Sequence, residues 1–478
     1  MSETELFKKE NANTLEPIWQ TNPHAVSYKG ERGPGCPVNC AYCNQNFFNY
    51  GPESGRSVDV VNTNVAYGIA VNTYMRVGNH LIAEVTAQDA ISTLLKNPVY
   101  SKNQALVFEN FTEPGLNWKK TLKMMRLAIE EGHYGALLAI TKLPLSDDDI
   151  GDLQKLQHEG GFPIIGVSYA NLPQELEPGS NGKLRVRTMK RLYEAGIPVI
   201  HSLRPLIAGI NIGEEEIEAV VKETLPYSTV IVPGGLVVDP VILPTFELRG
   251  YPLTSIYSKT KYSGVDVFPD EEVLFGIANK VKDEQGLSTP IHKYMSCAIS
   301  LVMTDFYRKP TVDRVAHWAG IGENANRWNE CNKWCPGDQI DVCKNASRVD
   351  SSIVVNRAQE KLADLGFNDL VIRPVSTRDG LLVVEKGMLP RHILYVLTES
   401  CGWYVNNLPD REQLLDKSTQ VAKDKLGIDL ESIFVDCKLV DDIWEIVVKN
   451  IDEEKLNNLT KWLRGSLMTQ IVLSLTKE

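Results

Sequence analysis

Between about residues 24 and 235, short β-branched and apolar runs alternate with stretches of helical spacing. The runs are HAVSYK from His24, ALVFEN from Ala105, GALLAIT from Gly135, PIIGVSY from Pro163, IPVIHSL from Ile197 and TVIVPGG from Thr229. Most are separated by amphipathic stretches such as NWKKTLKMMRLAIEEG, with Leu122, Met125, Leu127 and Ile129, and KLRVRTMKRLYEAG, with Val186, Met189 and Leu192. Continuous apolar strands alternating with helices predict a parallel sheet covered by helices. Six such units predict an α/β partial barrel, smaller than a complete eight-fold one. Ligands in such sheets bind at the C-terminal strand ends, where the polar residues sit here.

From about 236 to 290 the pattern is irregular until a helix at FPDEEVLFGIANKVKDEQG. Beyond 350, RAQEKLADLG and DEEKLNNLTKWLRG read as helices; LLVVEKG, HILYVLTES and DIWEIVVKN read as strands. The expected layout is an N-terminal extension over 1–23, the barrel over 24–290, a cysteine-rich segment over 291–349, and a C-terminal α+β domain over 350–478 serving as lid or docking module. No internal repeat and no low-complexity linker stands out.

The length of 478 residues is enough for two or three domains. With 43% apolar and 23% charged residues, the chain is neither disordered, collagenous nor coiled-coil. There is no uninterrupted apolar run of roughly 18 residues, so no membrane span is expected. The opening MSETELFKKENANTLEP lacks a signal-peptide core, which makes the expected location cytoplasmic. Net charge is −11, from 50 basic and 61 acidic residues, and no basic run is longer than the pair Lys119-Lys120. That balance lacks the field for nonspecific nucleic-acid binding and favours a small-molecule partner over nucleic acid.

Nine cysteines change the picture through their clustering. Cys36, Cys40 and Cys43 form C-x3-C-x2-C in a loop after the first expected strand. A secreted disulfide scaffold would be short and would spread its cysteines; close thiols in a reducing compartment read as a metal or redox site. Three thiolates without histidine suit a soft metal centre with one open position, and an open position implies chemistry. A zinc knuckle completed by a distant ligand, or buried thiols, is the alternative.

This motif, with Tyr42 before its last cysteine, resembles that of the radical SAM superfamily. The resemblance covers roughly residues 24–235. It implies that Cys36, Cys40 and Cys43 hold a [4Fe-4S] cluster and that S-adenosyl-L-methionine (SAM) chelates the fourth iron through its amino and carboxylate groups. It further implies that SAM is cleaved reductively to a 5′-deoxyadenosyl radical, with an electron donor such as flavodoxin or ferredoxin. ENFTEP, ending the second strand, is similar to acidic motifs that contact the SAM amino group. It nominates Glu113, with Thr112 beside it; a helix N-terminal acid is the structural alternative for Glu113. AITK ending at Lys142, VSYA from Val167 to Ala170, and RVRTMKRLYEAGIPVIHSLRPLIAGIN resemble the branch that includes spore photoproduct lyase. By that resemblance Lys142 lines the pocket, Ser168 contacts the SAM carboxylate or ribose, Arg187 supports it, and Ile207, Ala208 and Gly209 lie along the adenine. A solvated helix position for Arg187 and a plain turn at Gly209 are the alternatives.

Cys331, Cys335 and Cys343 in CNKWCPGDQIDVC, preceded by Cys297, make a second four-thiolate set. It resembles the auxiliary-cluster segments found C-terminal to radical SAM barrels and suggests a second [4Fe-4S] cluster, with zinc or buried thiols as alternatives. Cys401 and Cys437, in apolar runs, read as core residues, and His201 and His292 as structural. Four functions compete: a radical SAM enzyme acting on a polar small or nucleoside-like molecule, nucleic-acid repair or tRNA modification, peptide modification, and a noncatalytic zinc-binding protein.

Overall fold

The computed structural model describes residues 36, 38–43, 62–65, 68–77, 80–97, 100, 102–110, 112–237, 242–257, 266–267, 271–309, 331, 335, 340–341, 351–375, 380–401 and 403–476. The expected strand at His24 and the proposed ligand Cys343 lie outside these residues. The described residues fall into two compact units, one spanning 36–309 with Cys331, Cys335 and Ile340, the other holding Asp341 and 351–476.

The first unit is built on one sheet. Its strands are β1 (Asn62–Val65), β2 (Gly68–Val71), β5 (Leu106–Phe108), β6 (Ala136–Thr141), β7 (Phe162–Ser168), β8 (Val199–Leu206), β9 (Val230–Val237) and β10 (Asp266–Val267), in the order β1-β2-β5-β6-β7-β8-β9-β10. β3 (Tyr74–Val77) and β4 (His80–Glu84) form a separate hairpin. From β2 to β9 every pairing is parallel, and the six strands curl into a half-barrel. Gly68–Val71, a run too short to stand out in the sequence, supplies the first of the six. Between strands run α1 (Ala87–Leu94), α2 (Trp118–Glu130), α3 (Asp147–His158), α4 (Gly182–Glu194) and α5 (Glu214–Thr224). These connections form because Thr86, Asn117, Ser146 and Asn181 cap α1 to α4 with side-chain oxygens. After β9 the chain continues as α6 (Ile242–Leu248), α7 (Thr254–Tyr257), α8 (Glu271–Glu284) and α9 (Met295–Leu301), so 236–290 is more helical than its irregular pattern suggests.

Strand alternation sorts the side chains into two faces. Tyr169, Leu203, Leu206 and Ile231 pack with α5 and α8 on the outside. Val107, Leu138, Ile164, Ile200, Val230 and Val232 point the other way and bury Met295, Ala298, Ile299 and Val302 of α9 and the turn that follows it. The bottom of the inner face is therefore filled. The same parity carried to the C-terminal strand tips reaches Glu109, Lys142, Ser168, Arg204 and Gly234.

The second unit repeats one succession of elements. α10 (Ser351–Asp364), β11 (Val371–Pro374), β12 (Leu381–Glu385), α11 (Arg391–Cys401) and β13 (Tyr404–Leu408) are followed by α12 (Arg411–Leu426), α13 (Leu430–Ile433), β14 (Phe434–Val440), β15 (Ile443–Val448), α14 (Glu453–Leu467) and β16 (Ile471–Leu475). Each half pairs an antiparallel hairpin and adds a third strand in parallel after a helix. The expected strand HILYVLTES is instead α11, which buries Leu394, Leu397 and Cys401 at helical spacing. An uninterrupted apolar run of that length does not by itself separate strand from buried helix.

Candidate active site at the strand tips

The cysteine loop turns through Asn39, whose φ of +46° is left-handed. Asn39 donates its N–H to the Cys36 carbonyl at 3.2 Å and Cys43 to that of Cys40 at 3.3 Å. Cys36 and Cys40 are buried with Val38, and Tyr42, half-buried Cys43 and Leu143 pack against them. The loop is docked by main chain: Ala41 donates to the Leu176 carbonyl at 2.9 Å and Gly179 to the Val38 carbonyl at 3.2 Å. Arg249 donates to the Glu175 carbonyl at 2.8 Å and to Asn39 Oδ1 at 3.3 Å.

The three thiols form no disulfide. Among the described residues no three His, Cys, Asp or Glu side chains converge as the donors of one metal ion would. By donor chemistry, three thiols on one loop with no histidine among them suit a soft metal or iron–sulfur centre. Burial pushes the Cys40 thiol up to about 12, against the opposing pull of the Lys142 charge. Lys142 Nζ also stands 5.5 Å from the centre of the Tyr42 ring, so β6 delivers this lysine to the cysteine loop.

The structure separates the two acids of ENFTEP. Glu113 caps the short 3-10 turn Pro114–Leu116, accepting from the Gly115 N–H at 3.0 Å. Its carboxylate also accepts from Thr141 Oγ1 and, at 3.0 Å, from the Lys142 N–H. It latches the tip of β6 to this turn, which is the structural alternative. Glu109 directly follows β5 with φ of +56°, a backbone region few non-glycine residues adopt and one enriched at functional sites. It is buried and accepts from the Thr73 N–H at 3.1 Å, from Thr73 Oγ1, and from Thr112 Oγ1 at 2.9 Å. Desolvation raises its carboxyl to about 7. Strand register was the available signal: β5 ends at Phe108, so the acid at the tip is the first letter of the motif.

Ser168, the last residue of β7, is buried and donates to the Arg204 carbonyl at 3.2 Å. Arg187 is exposed on α4. Arg185, one position off in the R-V-R pattern, lies on the buried stripe with Met189 and Leu192. It donates to the Ser168 carbonyl at 2.8 Å and to Glu177 at 2.5 Å. Glu177 belongs to the segment that holds the cysteine loop, so one buried arginine ties the β7 tip to that loop. Arg204 lies across Gly234, where an added Cβ would stand 1.8 Å from its Nε; only glycine leaves room for it.

Past β8, the Ile207 N–H donates to Asn211 Oδ1 at 2.7 Å and the Ala208 N–H to Tyr257 Oη at 3.0 Å. Gly209 has a left-handed φ of +77°. Ile207 and Ala208 pack with Ala41 and Tyr42, which brings this segment to the cysteine loop. His201 is structural: its ring contacts the Tyr169 carbonyl at 2.8 Å and Thr224 Oγ1 at 3.0 Å.

Of the second cysteine group, Cys297 lies on α9, and Cys335 donates its N–H to the Cys331 carbonyl at 2.9 Å. Cys401 and Cys437 are each buried in a hydrophobic core of the second unit.

No protein-family model matches the chain, and no curated protein does either. Among solved structures, it is similar to a variant of spore photoproduct lyase with bound AdoMet and dinucleoside spore photoproduct, at 15% identity and a TM-score of 0.38, over 62% of this chain and 86% of that one. It is also similar to a cysteine-to-serine variant of the same lyase, at 16% identity and a TM-score of 0.40, over 61% of this chain and 85% of that one. No helix among the described residues is long and apolar enough to cross a membrane.

Proposed function

We propose that this chain is a radical SAM enzyme whose cluster is held by Cys36, Cys40 and Cys43 and whose SAM lies across the inner-face strand tips. The observation that carries the reading is the cysteine loop itself: three cysteines packed with Tyr42 and Leu143 beside the C-terminal strand ends of a parallel half-barrel. When bound, the cluster supplies an electron to the sulfonium and an iron with an open position for the amino and carboxylate groups of SAM.

The chain's own residues then orient SAM and exclude water. Glu109 is positioned to accept from the SAM ammonium, because a buried carboxylate with a raised proton affinity gains most from a cation brought beside it. Lys142 offers the opposite charge to the SAM carboxylate, with Ser168 as neutral neighbour. Ile207 and Ala208 form an apolar shelf for the adenine. Arg185 and Glu177 keep the cysteine loop in register with Ser168. The second cysteine group is read as an auxiliary [4Fe-4S] cluster.

The proposed substrate is polar and small, since the net charge of −11 gives no general attraction for a polyanion. Anaerobically reconstituted protein with a strong reductant should release methionine and 5′-deoxyadenosine from SAM, and Cys40→Ala should release neither. Brown, iron-loaded wild type without either product would refute the reading.

A further inference from the structure

Of the described residues of the cysteine loop, Cys36, Val38, Cys40 and Ala41 are buried, Tyr42 and Cys43 are half-buried, and Asn39 alone is exposed. Groups that the SAM site does not use stand around it. Arg249 donates to Asn39 Oδ1 at 3.3 Å, and its neighbour Leu248, the last residue of α6, is 89% exposed. On the other side, exposed Gly179 donates its N–H to the Val38 carbonyl, and α4 begins shortly after it, capped by Asn181.

α4 is a cationic strip on an acidic protein. Its outward charges are Lys183, Arg187, Lys190 and Arg191 against Glu194, because Arg185 is buried on Glu177. The helices before and after it, α3 and α5, open instead with Asp147, Asp148 and Asp149 and with Glu214, Glu215 and Glu216. Lys190 faces Glu194 at 3.8 Å and Arg191 is held by Asp147. The end of the strip nearer the cysteine loop is carried by exposed Lys183 and Arg187, with Leu184 between them at 41% exposure. Either leucine alone would be ordinary. Two of them with cations, on either side of the exposed loop residue, make an apolar centre with a charged rim.

We infer that this surface docks the electron donor, a small acidic one-electron carrier protein seated on Leu248 and Leu184 and steered by Lys183, Arg187 and Arg249. The inference rests on the radical SAM reading above, which requires an outside electron to reach a cluster held by buried thiols. The step is a one-electron oxidation of the carrier and a one-electron reduction of the cluster, with no bond made or broken. Electron transfer weakens steeply with distance, so the donor has to sit where little protein separates solvent from the cysteines, as it does at Asn39. A net charge of −11 repels an acidic partner from most of the molecule, and a local cationic surface orients such an encounter. The rim also carries exposed Glu175 and Glu247, which keep the positive surplus small. Redox encounters are small and weak, and a donor that must leave after each electron gains nothing from tight binding.

The test takes the full-length, anaerobically reconstituted protein, an acidic flavodoxin as the probe, and dithionite as a reductant that needs no docking surface. Lys183→Glu with Arg187→Glu, and separately Leu248→Glu, should weaken flavodoxin binding about tenfold or more in fluorescence anisotropy at low salt. Formation of 5′-deoxyadenosine driven by subsaturating reduced flavodoxin should fall in step, while formation driven by dithionite stays at the wild-type level. Lys183→Arg with Arg187→Lys should bind flavodoxin as wild type does. Wild-type affinity should drop as salt rises, with a flatter slope in the double-glutamate variant. Undiminished flavodoxin binding in both glutamate variants overturns the inference. So does an equal loss with both reductants, which puts these residues in the fold or the SAM site, and so does a wild type that dithionite reduces but flavodoxin does not bind. A wild type that cleaves no SAM even with dithionite contradicts the radical SAM reading itself, while the anisotropy still reports on the docking surface.

Discussion

At the scale of single residues, Glu113 has a structural role and Glu109 the proposed SAM contact, and the two can be separated experimentally. Glu109 holds its proton in the folded state up to about 7 against an ordinary 4.5. The folded protein therefore binds more protons than the unfolded chain between those values. Its contribution to stability is complete below pH 4.5 and is lost as pH rises through 7, by roughly 3 kcal/mol in all. Denaturant titrations of metal-free protein at pH 5 and pH 8 should show that extra loss in wild type but not in Glu109→Gln; parallel behaviour of the two rules out a buried, proton-holding Glu109. The same substitution should weaken SAM binding about 10- to 100-fold, the value of a charge-assisted hydrogen bond of 1.5–3 kcal/mol. Glu113→Gln should instead destabilise by about 1–2 kcal/mol, because an amide N–H replaces an acceptor facing the Thr141 hydroxyl or the Lys142 N–H. It should leave SAM affinity within a few-fold, as binding calorimetry would show. Residue type and motif led to this segment; which acid faces the site depends on where β5 stops, and a three-residue strand leaves no period to read.

Among the elements, α4 joins the candidate site to the fold through a buried ion pair. Arg185 and Glu177 are 2% and 4% exposed, so truncating one strands the other's charge. Arg185→Ala should cost about 3–5 kcal/mol and release iron on gel filtration, whereas the double variant Arg185→Met with Glu177→Leu should regain most of the stability. If Arg185→Ala is as stable and as iron-loaded as wild type, the pair does not hold the cysteine loop. An i, i+4, i+7 spacing sets Arg185 with Met189 and Leu192, but an arginine does not read as part of an apolar stripe, and the resemblance points to Arg187. In the second unit, Asn407 accepts from the Leu389 N–H at 2.8 Å and donates to the carbonyls of Leu389 and Leu467 at 3.1 and 2.9 Å, fastening one α-β-β-α-β half to the other. Asn407→Leu should cost roughly 2–4 kcal/mol in chemical denaturation by leaving these buried groups unpaired. The repeat stays hidden in the sequence because the helix Arg391–Cys401, more apolar on average than its counterpart Glu453–Leu467, reads as a strand.

For the whole molecule, the alternation of strand and helix was legible because parallel strands buried on both faces read as continuous apolar runs. The candidate site was legible only in part. Cys36, Cys40 and Cys43 stand out by their spacing, whereas Lys142 and Ser168 enter only through the family resemblance. Glu109 and Arg185 depend on which segments the fold sets side by side. The central claim is that one iron of the first cluster is completed by SAM, not by a protein side chain. Electron–nuclear double resonance on the reduced protein with SAM labelled by 15N in its amino group and 17O in its carboxylate tests it most directly. Hyperfine coupling from both labels, lost in Cys40→Ala, is the predicted result; a reduced, iron-loaded wild type showing neither coupling contradicts it.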